Sequence, residues 1–134
     1  MLIGADAPAR RLTVDHVATN ADEVQRVQLA GGTVIGNRVG GSLAVTRALG
    51  DHALGVPVTA DPHCCVHRLS DADRFVLMAS DGVWDVMTDD DARDLVLQHA
   101  HLSNDDLCAC VVKTAIARGT RDNVSALLIR FTRP

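Results

Sequence analysis

Two short apolar runs dominate the hydropathy pattern of the chain. Phe75-Val76-Leu77-Met78-Ala79 stops on Ser80-Asp81-Gly82-Val83-Trp84-Asp85, and Val124 to Phe131 follows directly on Gly119-Thr120-Arg121-Asp122-Asn123. Unbroken apolar stretches of this length, bounded by turn residues, read as strands buried on both faces. Two amphipathic helices are expected between them. Thr88, with Asp91 three residues on, caps the first, and Ala92, Leu95, Val96 and His99 line one side of it. Ser103, with Asp106 three on, caps the second; Leu107, Val111, Thr114 and Ala115 supply its buried face, and Gly119 takes the C′ position. An antiparallel helical pair returns the chain to the sheet edge it left. The two strands then pair antiparallel, and Asp81 and Asp122 arrive at one edge.

The earlier part of the chain is more broken. Asn20 stands three residues before Glu23 and in front of Val24, Val27 and Ala30 at helical spacing, with Gly31-Gly32 as the stop. Thr33 to Val39 reads as a short hairpin turning on Gly36-Asn37. Ser42 to Leu49 is read as extended, and Gly50 to Asp61, with Gly55 and Pro57, as an exposed loop. Cys64–Leu69 and Arg74–Ala79 flank the turn residues 70–73 and predict a second hairpin.

At 134 residues the chain is one domain in size. A net charge of -4 without a basic stripe argues against a nucleic-acid partner. No stretch approaches the roughly 18 uncharged apolar residues of a membrane span, so no membrane partner is expected. Residues 1–11 lack the basic-then-apolar order of a secretory leader. A soluble cytoplasmic protein is the expectation, with the nucleus left open. The cysteines at 64, 65, 108 and 110 form no C-x-x-C pair and read as small core or surface residues. Trp84, Phe75 and Phe131 are the only aromatics. A mean hydropathy of +0.10 with so few rings hints at apolar surface meant for a partner.

The chemistry lies in the acids. Two carboxylates about 4 Å apart repel by roughly 4 kcal/mol at an effective dielectric of 20. A divalent cation removes that repulsion, and hard ions such as Mg²⁺ or Mn²⁺ favour oxygen ligands. Plainer readings stand beside this one. Asp81-Gly82 could be a turn after a strand, and Asp122 an Asx-type turn. Asp85 and Asp15 suit capping or ion pairing equally well. Asp89-Asp90-Asp91 is best read as first-turn acids favoured by the helix dipole, each worth roughly 0.3–1 kcal/mol. Trp84 reads as a core anchor, and Arg47 with Asp51 as an ion pair shaping the neighbouring loop.

Three segments together carry a resemblance. Ala79-Ser80-Asp81-Gly82-Val83-Trp84-Asp85-Val86, Gly119-Thr120-Arg121-Asp122-Asn123-Val124 and the stretch Gly41 to Asp51 resemble the carboxyl-terminal signatures of the protein phosphatase 2C family. Asp15-His16 and the helix ending Ala30-Gly31-Gly32 match its order and spacing, so the likeness runs from about Arg11 to Phe131. It implies an α+β fold, part of an α-β-β-α sandwich with mainly antiparallel sheets and a helical hairpin between the last strands. Residues 1–134 would be the carboxyl-terminal portion of such a domain. The implied activity is metal-dependent hydrolysis of phosphoserine and phosphothreonine esters by a metal-activated water, with Mg²⁺ or Mn²⁺ as cofactor and a phosphoprotein as substrate. Asp81 and Asp122 resemble ligands of one ion of a two-metal centre; Asp85 and Asp15 resemble ligands of an additional, weaker ion. The Gly50–Asp61 loop resembles the family's variable flap.

The sequence also departs from the pattern. The family's Asp-Gly-His-Gly motif, whose Asp bridges both metals, has no counterpart here, nor do its upstream phosphate-holding Arg and its Glu-Asp pair. Asp15-His16 is followed by Val17-Ala18, where the family commonly has Lys-Pro. The chain is thus expected to carry only part of the metal site, with low or no activity in isolation. The alternative is a truncated, non-catalytic phosphatase-like module that binds a protein partner or phosphoprotein. An open sheet face would favour self-association or pairing with an amino-terminal half.

Overall fold

The computed structural model describes residues 1–5, 7–50, 53 and 55–132, and the chain divides into two units, Met1–Leu12 with Val66–Pro134, and Thr13–Cys65. The elements in chain order are β1 (Leu2–Gly4), α1 (Ala21–Leu29), β2 (Val34–Ile35), β3 (Arg38–Val39), β4 (Asp73–Ala79), α2 (Asp81–Trp84), α3 (Asp89–Gln98), α4 (Asn104–Ala117) and β5 (Ala126–Arg130). The fold is α+β with antiparallel sheets, and the helical hairpin α3–α4 lies between the last two strands, as the pattern predicts.

In the first unit β4 is the middle strand of the order β1-β4-β5. Ala79 opposes Ala126 and Phe75 opposes Arg130, so β4 ends where β5 begins. The predicted hairpin partner of β4 is corrected here. Residues 64–69 form no strand, and Val66 is fully exposed. The turn itself forms, because Asp73 accepts from the Ser70 amide at 2.7 Å and from its hydroxyl at 3.0 Å. Yet the edge of β4 goes to β1, with Leu2 opposite Val76 and Ile3 opposite Phe75. Met1, Leu2 and Ile3 are all buried, and the Met1 ammonium donates to the Leu77 carbonyl at 2.8 Å. That tripeptide offers more apolar area to hide than Cys64-Cys65-Val66-His67, and burial decides the pairing.

Burial on both faces of β4 and β5 is also corrected. Phe75, Leu77 and Leu128 are buried, whereas Met78, Leu127 and Ile129 are 44–50% exposed. The strand period of two sends alternate residues to opposite faces, and α3 and α4 cover one of them. Ala92 and Val96 of α3 pack with Leu107, Val111 and Ala115 of α4 against Phe75, Leu77 and Leu128.

Capping fixes where these helices start and stop. The Thr88 hydroxyl accepts from the Asp91 amide (3.1 Å) while the Asp91 carboxylate accepts from the Thr88 amide (3.0 Å), a reciprocal box. Ser103 accepts from the Asp106 amide at 3.1 Å. At the far end of α4, Gly119 has φ +87°, and its amide donates to Ile116 while that of Thr120 donates to Ala115. This paired closure turns the chain toward β5 and needs a left-handed residue at C′.

In the second unit Asn20 caps α1 by accepting from the Asp22 amide at 3.0 Å. Gly36 and Asn37, at φ 56° and 59°, form the tight turn that joins β2 to β3. Ala18, Val27 and Val39 are its core, with Val34, Leu43 and Val58 packed against them. Of the residues expected on the inward face of α1, Val27 is buried while Val24 and Ala30 are half-buried, and Glu23 is the other buried residue. Residues 42–49 hold only isolated bridges, such as Val17 to Val45, and no strand. Asp51, the partner expected for Arg47, lies outside the described residues. Among the described residues no helix is long and apolar enough to cross a membrane.

Candidate functional site

Asp81 follows the end of β4 and is the first residue of α2; Asp122 lies three residues beyond the C′ glycine of α4 and shortly before β5. The antiparallel register brings both to the same end of the sheet. A hydrogen-bonded clasp then holds the two segments together. The Ser80 amide donates to the Ser125 carbonyl at 3.0 Å, the Ser80 hydroxyl donates to the Asn123 carbonyl at 3.1 Å, and the Ser125 amide donates to that hydroxyl at 3.1 Å. Ser80 therefore does not cap α2 with its side chain, although it occupies the N-cap position. Sequence reasoning missed this clasp. Its one side-chain signal was Ser80, since Asn123 and Ser125 take part only through their backbone.

Gly82 explains how closely the segments approach. A Cβ on Gly82 would collide with the Asn123 carbonyl oxygen, lie 3.1 Å from its carbon and 3.4 Å from the Asp122 Cβ. Only a residue without a side chain lets the first turn of α2 sit against Asp122-Asn123. The Asp81 carboxylate accepts from the Gly82 amide at 3.0 Å. Asp85 is the C-cap residue of α2, its amide donating to the Asp81 carbonyl at 2.8 Å. Residues four apart on a helix share a face, so Asp81 and Asp85 belong together in this unit. Asp81, Asp85 and Asp122 are all exposed.

Trp84 backs the same turn; it is half-buried and packs against the main core, in line with the anchoring role expected of it. Its indole N–H donates to the Ala79 carbonyl at 2.9 Å, and the Arg11 guanidinium lies over the ring at 4.4 Å. Arg11 is itself held by Asp89 at 2.7 and 2.9 Å. The other two acids of the 89–91 run are also engaged, Asp90 with Arg93 and Asp91 with Thr88 and Arg118. The Arg118 guanidinium and the Thr88 donors hold the Asp91 carboxyl well below the usual carboxylate range. These contacts give the triplet the structural role assigned to it.

The fourth candidate, Asp15, lies in the second unit and is exposed there, with its carbonyl accepting from the Asn20 side chain at 3.5 Å. Beside it the structure shows a group that the sequence pattern did not disclose. Glu23 is 4% exposed and accepts from Thr46 at 2.6 Å, from Arg26 at 3.1 and 3.2 Å and from Arg47 at 3.1 Å and through a shorter second bond. The Arg47 guanidinium chiefly, with Thr46 and Arg26, holds its carboxyl far below the ordinary value against the opposing effect of burial. The clue was available: Glu23 lies four residues before inward-facing Val27.

The comparisons decide the family. The sequence model described as Protein phosphatase 2C matches residues 1–124. This chain belongs to the protein phosphatase 2C family. It is 38% identical over 119 residues to Protein phosphatase 2C homolog 1 of Saccharomyces cerevisiae, a match covering 89% of the chain and 42% of that protein. It is 40% identical over 131 residues to Protein phosphatase 1A of Homo sapiens, covering 89% of the chain and 34% of that protein. The chain thus spans roughly a third to two fifths of the length of these curated relatives. Among solved structures, a C. elegans sex determining protein superposes with TM-score 0.83 at 34% identity, over 95% of this chain and 33% of the other. A phosphatase from Toxoplasma gondii superposes with TM-score 0.80 at 28% identity, over 97% and 44%. In this phosphatase 2C chain, then, the structure brings Asp81, Asp85 and Asp122 to one end of the three-stranded sheet and places Asp15 in the other unit.

Proposed function

We propose that this chain serves the hydrolysis of phosphoserine and phosphothreonine esters in proteins, as the carboxyl-terminal portion of a type 2C phosphatase domain that carries part of a Mg²⁺ or Mn²⁺ site. The observation that supports this most is the clasped junction that sets Asp81 and Asp122 at the ends of paired strands. The donor set suits a hard cation, because both side chains offer carboxylate oxygen. Gly82, having no Cβ, lets the segment that bears Asp122 lie directly against the turn that bears Asp81. Among the described residues, however, no group of three or more His, Cys, Asp or Glu side chains is disposed to enclose an ion. The pair would supply a fraction of a coordination sphere; Asp85, on the same helical turn, and Asp15, in the other unit, are each proposed only as ligands of an additional, weaker ion. When bound, divalent ions supply water activation and neutralise charge on phosphoryl oxygens.

The chain's own residues have narrower tasks. Asp81 and Asp122 present negative charge at a fixed edge, the Ser80–Asn123–Ser125 clasp holds their backbones, and Trp84 with Arg11 walls the turn. That no three-ligand group occurs among the described residues favours a second reading, a non-catalytic module that binds a protein partner or phosphoprotein. Two measurements on the whole chain separate the readings. Titration with Mn²⁺, read by paramagnetic broadening of amide signals, should broaden residues around 81 and 122, and Asp81→Asn should weaken the effect on the order of tenfold. Equal broadening in the variant removes Asp81 from the site. Mn²⁺-dependent release of phosphate from a phosphothreonine peptide by the chain alone would eliminate the non-catalytic reading.

A further inference from the structure

We propose that Glu23 is a positioning residue, whose buried carboxylate fixes both the Asp15–Ala18 segment and the Pro57–Asp61 loop of the second unit. The proposal rests on the reading of Asp15 as a ligand, and deepens it. The contacts form a chain of dependence. The Thr46 hydroxyl donates to Glu23, and the Thr46 amide donates to the His16 carbonyl at 2.8 Å. One rung further on, the Ala18 amide donates to the Ala44 carbonyl at 3.0 Å. The residues that follow Asp15 are therefore held against 44–46, and that segment is bolted to α1 through Glu23. Thr46 is wholly buried, so water does not substitute for the bond.

The same carboxylate aims two guanidinium groups. Arg26 also donates to the carbonyls of Pro57 (3.0 Å) and Thr46 (2.8 Å), and Arg47 donates to the Asp61 carbonyl at 2.7 Å. Two cations flank one anion here. Without the anion they repel, and the carbonyls of residues 57 and 61 lose donors held in place. His16 packs alongside: its Nε2 accepts from the His63 amide at 3.3 Å, and its buried Nδ1 lies 3.8 Å from Glu23 without a hydrogen-bond partner. Geometry this dense around one acid makes the placement of Asp15 conditional on a residue eight positions away.

The test uses the full chain as wild type, Glu23→Gln, Asp15→Asn and the double variant. Amide hydrogen exchange should quicken at least tenfold at Thr46 and Ala18 in Glu23→Gln. The Mn²⁺ concentration for half-maximal amide broadening should rise in Glu23→Gln, but not further when Asp15→Asn is already present. Unchanged exchange at Thr46 overturns the proposal. An equal loss of Mn²⁺ response with and without Asp15 also overturns it, since that is the mark of general loosening. If Asp15→Asn alone binds Mn²⁺ like the wild type, the earlier reading of Asp15 fails, and the exchange rates alone decide for or against the clamp. Should Glu23→Gln not fold, Thr46→Val severs one bond to Glu23 and must shift exchange at Ala18 in the same direction; no shift refutes the clamp.

Discussion

Gly82→Ala is the most direct probe of the junction. In an ordinary helix the substitution would stabilise by roughly 0.5–1 kcal/mol through backbone entropy. Here the added methyl meets the Asn123 carbonyl, which is backbone and cannot rotate aside as a side chain would. Relief requires the 122–123 segment to move away from α2, and that carbonyl accepts from the Ser80 hydroxyl. Overpacking of this kind costs about 1–3 kcal/mol, and a lost hydrogen bond costs about 1 kcal/mol more. After the propensity gain, a net loss of about 1–3.5 kcal/mol is expected. For a unit of this size that lowers the melting temperature by roughly 10 °C. Thermal unfolding followed by circular dichroism measures it, with Ser125 amide exchange reporting whether the clasp has opened. A variant as stable as the wild type, with Ser125 still protected, would refute the account of why α2 can lie against Asp122-Asn123.

Other expectations are open to equally simple measurements. Glu23 has a carboxyl held below its unfolded value of about 4.3; its contribution is full above that pH and is lost as pH falls toward the folded value. Urea unfolding midpoints from pH 6 to pH 3 should thus fall less steeply in Glu23→Gln than in the wild type, and parallel curves would remove Glu23 as the cause. Thr88→Ala breaks the capping box of α3 and should cost about 1 kcal/mol in chemical denaturation; no change would mean that Asp91 and Arg118 suffice. Met78→Lys with Leu127→Thr, on the open face of the sheet, should lower any self-association seen by light scattering while leaving the melting temperature within a few degrees. Unaltered association would place the contact elsewhere.

Much of the first unit was legible because its signals are local. Thr88 with Asp91, Ser103 with Asp106, and Gly119 each act within one turn of backbone, so the chain announces them without tertiary help. The meeting of residues 81 and 122 followed from the order of elements. What escaped depended on distant partners. Leu2 and Ile3 form too short a run to read as a strand, and become one only because β4 has an edge to share. Cys64–Leu69 has the composition of a strand and the turn to go with it, yet lost that edge. Glu23 looked like a capping-box acid three after Asn20; besides Arg26 on its own helix, its partners Thr46 and Arg47 are more than twenty residues away and reach it only through the tertiary fold. Asp81-Gly82 read as a possible turn, and is the opening of a four-residue helix.

The serine clasp has a thermodynamic corollary. On the proposed reading that the two aspartates bind a cation, the segments that bear them are already held together by the hydrogen bonds of the Ser80 amide and hydroxyl to residues 123 and 125 before the guest arrives. Little conformational freedom is left to surrender at that moment, so association there should show a small entropic penalty and a rate set by diffusion and dehydration, without a slow ordering phase.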